Sequence, residues 1–233
     1  MRYRQPVSRA CIIGCSDGIG LATVSLLLRD GWTVCGVSRS ESPLQHAHYS
    51  HLTSDVTTAG YRELLRDLSR VPFDAVIYCV GIGERWSVDE LARELRVFEA
   101  NLNAAVATAS IVLPPMLAVG RGHLIVLSSL ADGLVSPEFP SYNASKAALS
   151  SYFDGLGKAL ASTGVAVSYI RFGFVDTKLA KARFRPFMIT REAAAKVIVR
   201  TLAGGPRRVS FPLRMAWLVA ALRCVQGLKR LWS

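Results

Sequence analysis

Strand-like and helix-like segments alternate along this chain, and that alternation limits its fold more than any other feature. Short apolar runs near Ala10–Gly14, Thr33–Val37, Ser50–Leu52, Asp74–Cys79, His123–Leu127, Ala166–Ile170 and Arg208–Phe211 read as strands. Between them, segments near 18–30, 58–70, 88–118, 141–163 and 190–204 read as helices. Parallel strands need long crossovers, and helical crossovers cover both faces of a sheet. The pattern therefore predicts an α/β fold: an open, doubly wound sheet of about seven mainly parallel strands, with helices on both faces. Its ligand crevice should lie at the carboxyl ends of the strands, where their order reverses. At 233 residues the chain is long enough for one such domain and too short for two ordinary ones. A hydrophobic content of 51% suits a sheet covered twice.

The first strand runs into Gly14-Cys15-Ser16-Asp17-Gly18-Ile19-Gly20, after which Leu21, Val24, Leu26, Leu27 and Leu28 recur at roughly helical spacing. Strand, glycine turn and helix in that order let a pyrophosphate approach the backbone at a helix N-terminus, where free N–H groups and the helix dipole favour an anion. A turn with a purely steric purpose has the same composition, and G-x-x-x-G-x-G differs from the commoner G-x-G-x-x-G. Further along, Tyr142-Asn143-Ala144-Ser145-Lys146 puts a phenol and an ammonium four residues apart, on one face of a helix. An isolated tyrosine has a pKa of about 10. A fixed cation nearby favours the phenolate and moves that value towards the range useful for acid-base catalysis. Solvated helix faces carry the same spacing.

Together, in this order and about 120 residues apart, the two motifs resemble those of the short-chain dehydrogenase/reductase family, over roughly residues 8–211. The resemblance implies an NADP-dependent oxidoreductase of CH-OH and C=O groups with four catalytic residues. Tyr142 would donate the proton, Lys146 would hold the nicotinamide ribose and tune Tyr142, and Ser129, thirteen residues before the tyrosine, would bind the substrate oxygen. Asn101 would carry the water chain that resupplies the proton. Cofactor contacts implied in the same way are Gly14, Ser16, Asp17, Gly18, Ile19, Gly20, Asp55, Val56, Gly81, Tyr142, Lys146, Gly173 and Thr177. The chain departs from the family pattern at Tyr78-Cys79-Val80-Gly81, where many members have Asn-Asn-Ala-Gly, at Ile13 in place of threonine, and at Phe172-Gly173 in place of Pro-Gly. The first departure requires another way of satisfying the backbone after the fourth strand.

The loop Val37-Ser38-Arg39-Ser40 offers a guanidinium and two hydroxyls with no acid before Glu41. A guanidinium suits a 2'-phosphate where a carboxylate would suit ribose hydroxyls, so NADPH is expected in preference to NADH. A solvated surface arginine is the plain alternative. The pocket is expected to draw on at most two of Trp86, Phe139, Phe184 and Phe187, under a short lid from Thr177 to about Pro186, and to suit an apolar or aromatic ketone. The expected activity is that of an NADPH-dependent carbonyl reductase, or an alcohol dehydrogenase in reverse, on a lipophilic, aromatic or acyl-carrier-bound ketone. The alternatives are a cofactor-sensing or scaffold protein on this fold, and an epimerase or dehydratase without net redox.

Charge is unevenly spread. From Thr177 onward there are thirteen Lys and Arg against one acid, Glu192, whereas the preceding 176 residues hold fifteen bases and sixteen acids. Such a field draws anions: phospholipid headgroups, an acidic carrier protein or an acidic substrate. Residues 1–211 are read as the dinucleotide-binding catalytic domain and 212–233 as a basic, apolar helical tail. That helix would put Trp217, Cys224, Leu228 and Leu231 on one face, with Arg223, Gln226 and Arg230 largely opposite. Its longest apolar run, Met215–Leu222, is eight residues and cannot span a bilayer. It could lie in a membrane interface, or pack on the domain or a second subunit. No nucleic-acid partner is expected, because no reading motif accompanies the bases. Cys11, Cys15, Cys35, Cys79 and Cys224 contain no C-x-x-C pair and read as small buried hydrophobes in a reducing compartment. His46, His48 and His51 lack the partners of a metal site, so no metal is expected. The basic start Met1–Arg4 leads directly into the first strand, which predicts a cytoplasmic protein, at most peripheral at a membrane. A homodimer or homotetramer through the helices near 88–118 and 141–163 is expected from the family.

Overall fold

In the computed structural model, which describes residues 8–180, 184–204 and 207–231 (227–231 by backbone alone), seven strands form one sheet in which every pairing is parallel. The strands are β1 (Arg9–Ile13), β2 (Thr33–Ser38), β3 (Tyr49–Thr53), β4 (Ala75–Tyr78), β5 (Gly122–Ser129), β6 (Val165–Phe172) and β7 (Arg208–Phe211). Their order, β3-β2-β1-β4-β5-β6-β7, reverses between β1 and β4, so the crevice opens beside the carboxyl end of β1. Helices α1 (Gly18–Arg29), α2 (Ala59–Leu68), α3 (Ala92–Phe98), α4 (Ala104–Ala118), α5 (Pro140–Ala159), α6 (Arg191–Leu202) and α7 (Leu213–Leu231) complete the domain.

Successive strand residues point to opposite faces, and in this sheet both sets are apolar. Cys11, Ile13, Val37, Val76, Val126 and Val167 meet α2, α4 and α5 on one side. Ala10, Ile12, Val34, Ile77, Ile125 and Ile170 meet α1 and α6 on the other. Hydroxyl caps start two of the covering helices: Thr58 accepts from the Tyr61 N–H and Thr190 from the Ala193 N–H.

The long helix expected over 88–118 is composite. A 3₁₀ turn at Val88–Glu90 precedes α3, and a π turn at Glu99–Asn103 joins α3 to α4. A π turn displaces carbonyls from the regular ladder, and here the buried Tyr78 hydroxyl donates to Ala100 O at 2.6 Å. Tyr78 thus anchors the π turn. The continuous stretch Ala92–Ala118 is long and apolar enough to cross a membrane by composition, but half of it is buried in the domain, as befits a core helix.

The carboxyl-terminal helix packs on the domain through one face. Met215, Val219 and Gln226 face the domain, and Gln226 bonds both the N–H and the C=O of Val135, at 3.2 and 3.1 Å. Trp217 faces outward instead. The helical face that is covered is chosen by the turn it packs on, Leu130–Gly133, not by its own most apolar stripe. Arg183 and Trp232 lie outside the described residues, as do the side chains of Leu228, Lys229, Arg230 and Leu231. Cys11, Cys15 and Cys35 are buried as expected, whereas Cys224 is exposed on α7. His46 and His48 are exposed, and His51 lies on β3 with Nε2 3.2 Å from Ser38 Oγ.

Candidate active site

The glycine turn brings backbone against backbone. Gly14 has φ 84°, and a Cβ there would sit 2.9 Å from Val80 Cγ2 and 3.0 Å from Val80 N, in the loop after β4. A Cβ on Gly20 would overlap the Gly14 carbonyl oxygen, so any other residue would force α1 away from β1. Asp17 precedes α1 without capping it through its side chain, which leaves the first-turn N–H groups open to an anion. Its carboxylate instead pairs with Lys178 at 3.0 Å. A Cβ on Gly18 would meet Thr177 Cγ2 at 3.3 Å, so the segment after β6 borders this turn. Ser16, Gly18 and Ile19 are partly exposed along it.

At the end of β2, Arg39 is exposed and has no hydrogen bond or ion pair among the described residues. Ser38, expected to flank it as a ligand hydroxyl, is buried and accepts the Cys15 N–H at 3.0 Å, so it belongs to the scaffold. Ser40 remains exposed, and Glu41 accepts the Thr53 hydroxyl at 2.7 Å. Asp55, after β3, accepts from the Thr57 N–H and hydroxyl at 3.0 and 2.8 Å, bonds that hold its carboxyl below the usual range with help from Arg39. Val56 is buried in the core.

On the other side of the switch point, β5 ends in Ser129. Its Oγ accepts the Ala131 N–H at 3.1 Å, and its hydroxyl draws the Tyr142 pKa downward. Tyr142 lies in the first turn of α5, which Pro140 opens with a φ already suited to a helix. One turn later Lys146 is buried, its Nζ donating to Leu127 O at 2.8 Å and lying 6.0 Å from the centre of the Tyr142 ring. A Cβ on Gly81 would meet the same Nζ at 3.4 Å. Burial brings Lys146 down to about 8. Burial also pushes Tyr142 up, against the pull of the Ser129 hydroxyl, and the Asp132 charge pushes the same way. The expected lowering of Tyr142 by Lys146 is therefore not what these protein groups produce. The ammonium is turned to the Leu127 carbonyl, and desolvation of the phenol dominates. Tyr142 consequently keeps its proton at neutral pH.

Asn101 is buried. In the π turn, its Oδ1 accepts the Ile82 N–H at 2.8 Å, and its Nδ2 donates to Ile82 O at 2.9 Å and to Ser145 Oγ at 3.0 Å. Both amide hydrogens are committed, and the side chain stands outside the cavity wall. This side chain fixes the loop after β4 to α5. This contact supplies the satisfaction that the Tyr78-Cys79-Val80-Gly81 departure called for.

Tyr142, Ser129 and Lys146 border a cavity of about 310 Å³, together with Gly81, Gly173 and Thr177. Its remaining wall is mainly apolar: Leu130, Leu134, Phe139, Phe174, Leu179, Met215 and Val219. Of the four candidate aromatics, at most two of which were expected in the pocket, Phe139 lines it, whereas Trp86, Phe184 and Phe187 are exposed. Sequence reasoning missed the α7 side of the wall, and Asn143, which is buried and donates to Leu134 O at 3.0 Å. It also missed a buried ion pair beneath the site. Arg171 Nε donates to Asp132 at 2.6 Å, Ser150 donates to the same carboxylate at 2.6 Å, and Ser128 meets Ser150 at 2.7 Å. The available signal was an arginine inside the apolar run of β6.

Comparison with known proteins places this geometry in context. Residues 8–186 match the family model for short chain dehydrogenases. An uncharacterized oxidoreductase of Myxococcus xanthus is 32% identical over 93% of this chain and 90% of its own length. A short chain dehydrogenase from Burkholderia cenocepacia, crystallised in complex with NADP, superposes with a TM-score of 0.83 at 22% identity, covering 96% of this chain and 97% of that one. One from Streptomyces avermitilis gives 0.82 at 20% identity, covering 97% and 96%.

Proposed function

The chain belongs to the short-chain dehydrogenase family of oxidoreductases, and on that premise we propose that it is an NADPH-dependent carbonyl reductase of lipophilic ketones. The observation that carries the reading is that Ser129, Tyr142 and Lys146 meet at the wall of one mainly apolar cavity. The residues fit a dinucleotide: Gly14 and Gly20 leave no room for a Cβ, and the start of α1 is uncapped by a side chain. When bound, the reduced nicotinamide would supply a hydride to the carbonyl carbon. Tyr142 would give its proton to the carbonyl oxygen while Ser129 donates a hydrogen bond to the same atom, stabilising the charge that develops there. Lys146 holds its place through Leu127 O. The apolar wall excludes water and favours a lipophilic ketone over a polyhydroxylated one.

The preference for NADPH rests on Arg39, which is exposed and has no hydrogen bond or ion pair among the described residues, and the NADP in the Burkholderia neighbour agrees with it. Replacing Arg39 with Ala should weaken NADPH binding by about ten- to a hundredfold, the worth of a charge-assisted hydrogen bond, while leaving NADH binding nearly unchanged. Titration of both nucleotides by fluorescence measures this, and equal losses for the two would remove Arg39 from the phosphate site.

The reading as a whole is tested by following NADPH oxidation over aryl ketones, medium-chain keto compounds and thioester-linked 3-ketoacyl groups. Tight NADPH binding without turnover on any of them would count against a reductase. The rate of reduction is expected to hold below about pH 8 and to decline above it as Lys146 loses its proton. The loss is separable from unfolding by its sign. Between about 8 and the ordinary lysine value of 10.5 the unfolded chain binds more protons at this residue, so its contribution to stability rises with pH. A rate that stays flat to about pH 10 would show that Lys146 titration does not matter.

A further inference from the structure

Two segments flank the mouth of the cavity, and each has an apolar side that the domain does not cover. One follows β6 and the other, α7, follows β7; these strands are neighbours, so both segments rise from the same carboxyl edge of the sheet. Their inner residues, Leu179, Met215 and Val219, line the cavity. Their outer residues are large and apolar: Phe184 is 79% exposed, Trp217 76% and Leu213 65%, with Phe187 and Met188 nearly half exposed. Phe187 adopts a left-handed backbone, φ 55°, rare for a bulky side chain, and its ring still remains exposed, so the strain does not serve the core. Exposed bases accompany the apolar residues: Lys178 and Arg185 on the first segment, Arg214 and Arg223 on the second. From Thr177 onward Glu192 is the one acid against thirteen bases, and it is already paired with Arg191 at 3.2 Å.

From this juxtaposition we propose that the face formed by Phe184, Phe187, Leu213 and Trp217 docks on a membrane surface rich in anionic phospholipid, with the cavity mouth turned towards the acyl chains. Apolar side chains with tryptophan and interleaved bases are what an interfacial helix presents to a negative leaflet, where both the buried area and the charge contribute. A second copy of the chain fits this face poorly, because two such surfaces would oppose Arg185, Arg214 and Arg223 to one another. Docking needs neither cofactor nor substrate, so it stands or falls separately from the reductase reading.

The test is sedimentation of the full chain with vesicles of phosphatidylcholine alone and of phosphatidylcholine with phosphatidylglycerol. Binding is expected with the anionic vesicles and should weaken as salt is raised. The double variant Phe184→Ser with Trp217→Ser should lose at least about tenfold in partition, since each aromatic removed forfeits its apolar transfer. Both positions are exposed, so the variant should keep the circular dichroism and melting temperature of the parent protein. Failure to bind anionic vesicles would overturn the proposal, as would equal binding to phosphatidylcholine alone or undiminished binding by the double variant. So would a dimer in light scattering that the double variant dissociates, which would assign the face to a second copy.

Discussion

Tyr142→Phe is expected to reduce turnover by about 10²–10⁴-fold while leaving NADPH affinity almost unchanged. The substitution removes one oxygen and keeps the ring, whose packing and 6.0 Å separation from the Lys146 ammonium do not depend on it. What disappears is the proton that burial retains on this residue at neutral pH. It matters only as charge develops on the substrate oxygen, so kcat and kcat/KM should fall together and KM should scarcely move. Steady-state kinetics with the best ketone, and NADPH titration by fluorescence, make the comparison. A variant that turns over normally would exclude Tyr142 as the proton donor.

Arg171→Met is expected to cost about 3–5 kcal/mol of stability, the usual consequence of leaving one member of a buried ion pair alone. The side chains of Arg171 and Asp132 are 11% and 6% exposed, and the guanidinium also donates to Ser210 Oγ at 3.2 Å. Without it, the Asp132 charge would face the protein interior with Ser150 as its remaining donor among the described residues. For a chain of this size the melting temperature should drop by about 10 °C. Changing both members, Arg171→Met with Asp132→Leu, should recover much of the loss, because no uncompensated charge remains. Calorimetry of the three proteins would show it, and a single variant as stable as the parent would mean that the pair contributes nothing net. Asp132 lies in the turn that begins at Ser129 and supports α7, so the single variant should also lower turnover.

The fold was legible because its signals are local. Each strand announced itself as a short apolar run, and helical spacing filled the gaps, so the parallel order needed only the rule that crossovers reverse at one point. The Gly14–Gly20 turn and the four-residue step from Tyr142 to Lys146 were equally readable, since one element positions each set of groups. The role of Asn101 was less so. Its residue type and place were visible, but its commitment to Ile82 and Ser145 depends on a π turn that periodicity does not reveal.

Local spacing thus determined the doubly wound sheet, the glycine cradle and the Tyr142–Lys146 face, because backbone geometry alone sets which neighbours along an element point together. Contacts between elements distant in sequence decided the rest. Whether Trp217 or Gln226 faces inward depends on Val135 and the turn after β5, about ninety residues away along the chain. Whether Arg171 is a liability or a support depends on Asp132 and Ser150 lying beside it. Burial of the phenol, which keeps Tyr142 protonated against the expected pull of Lys146, arises from the whole cavity wall and exists only once the chain has folded.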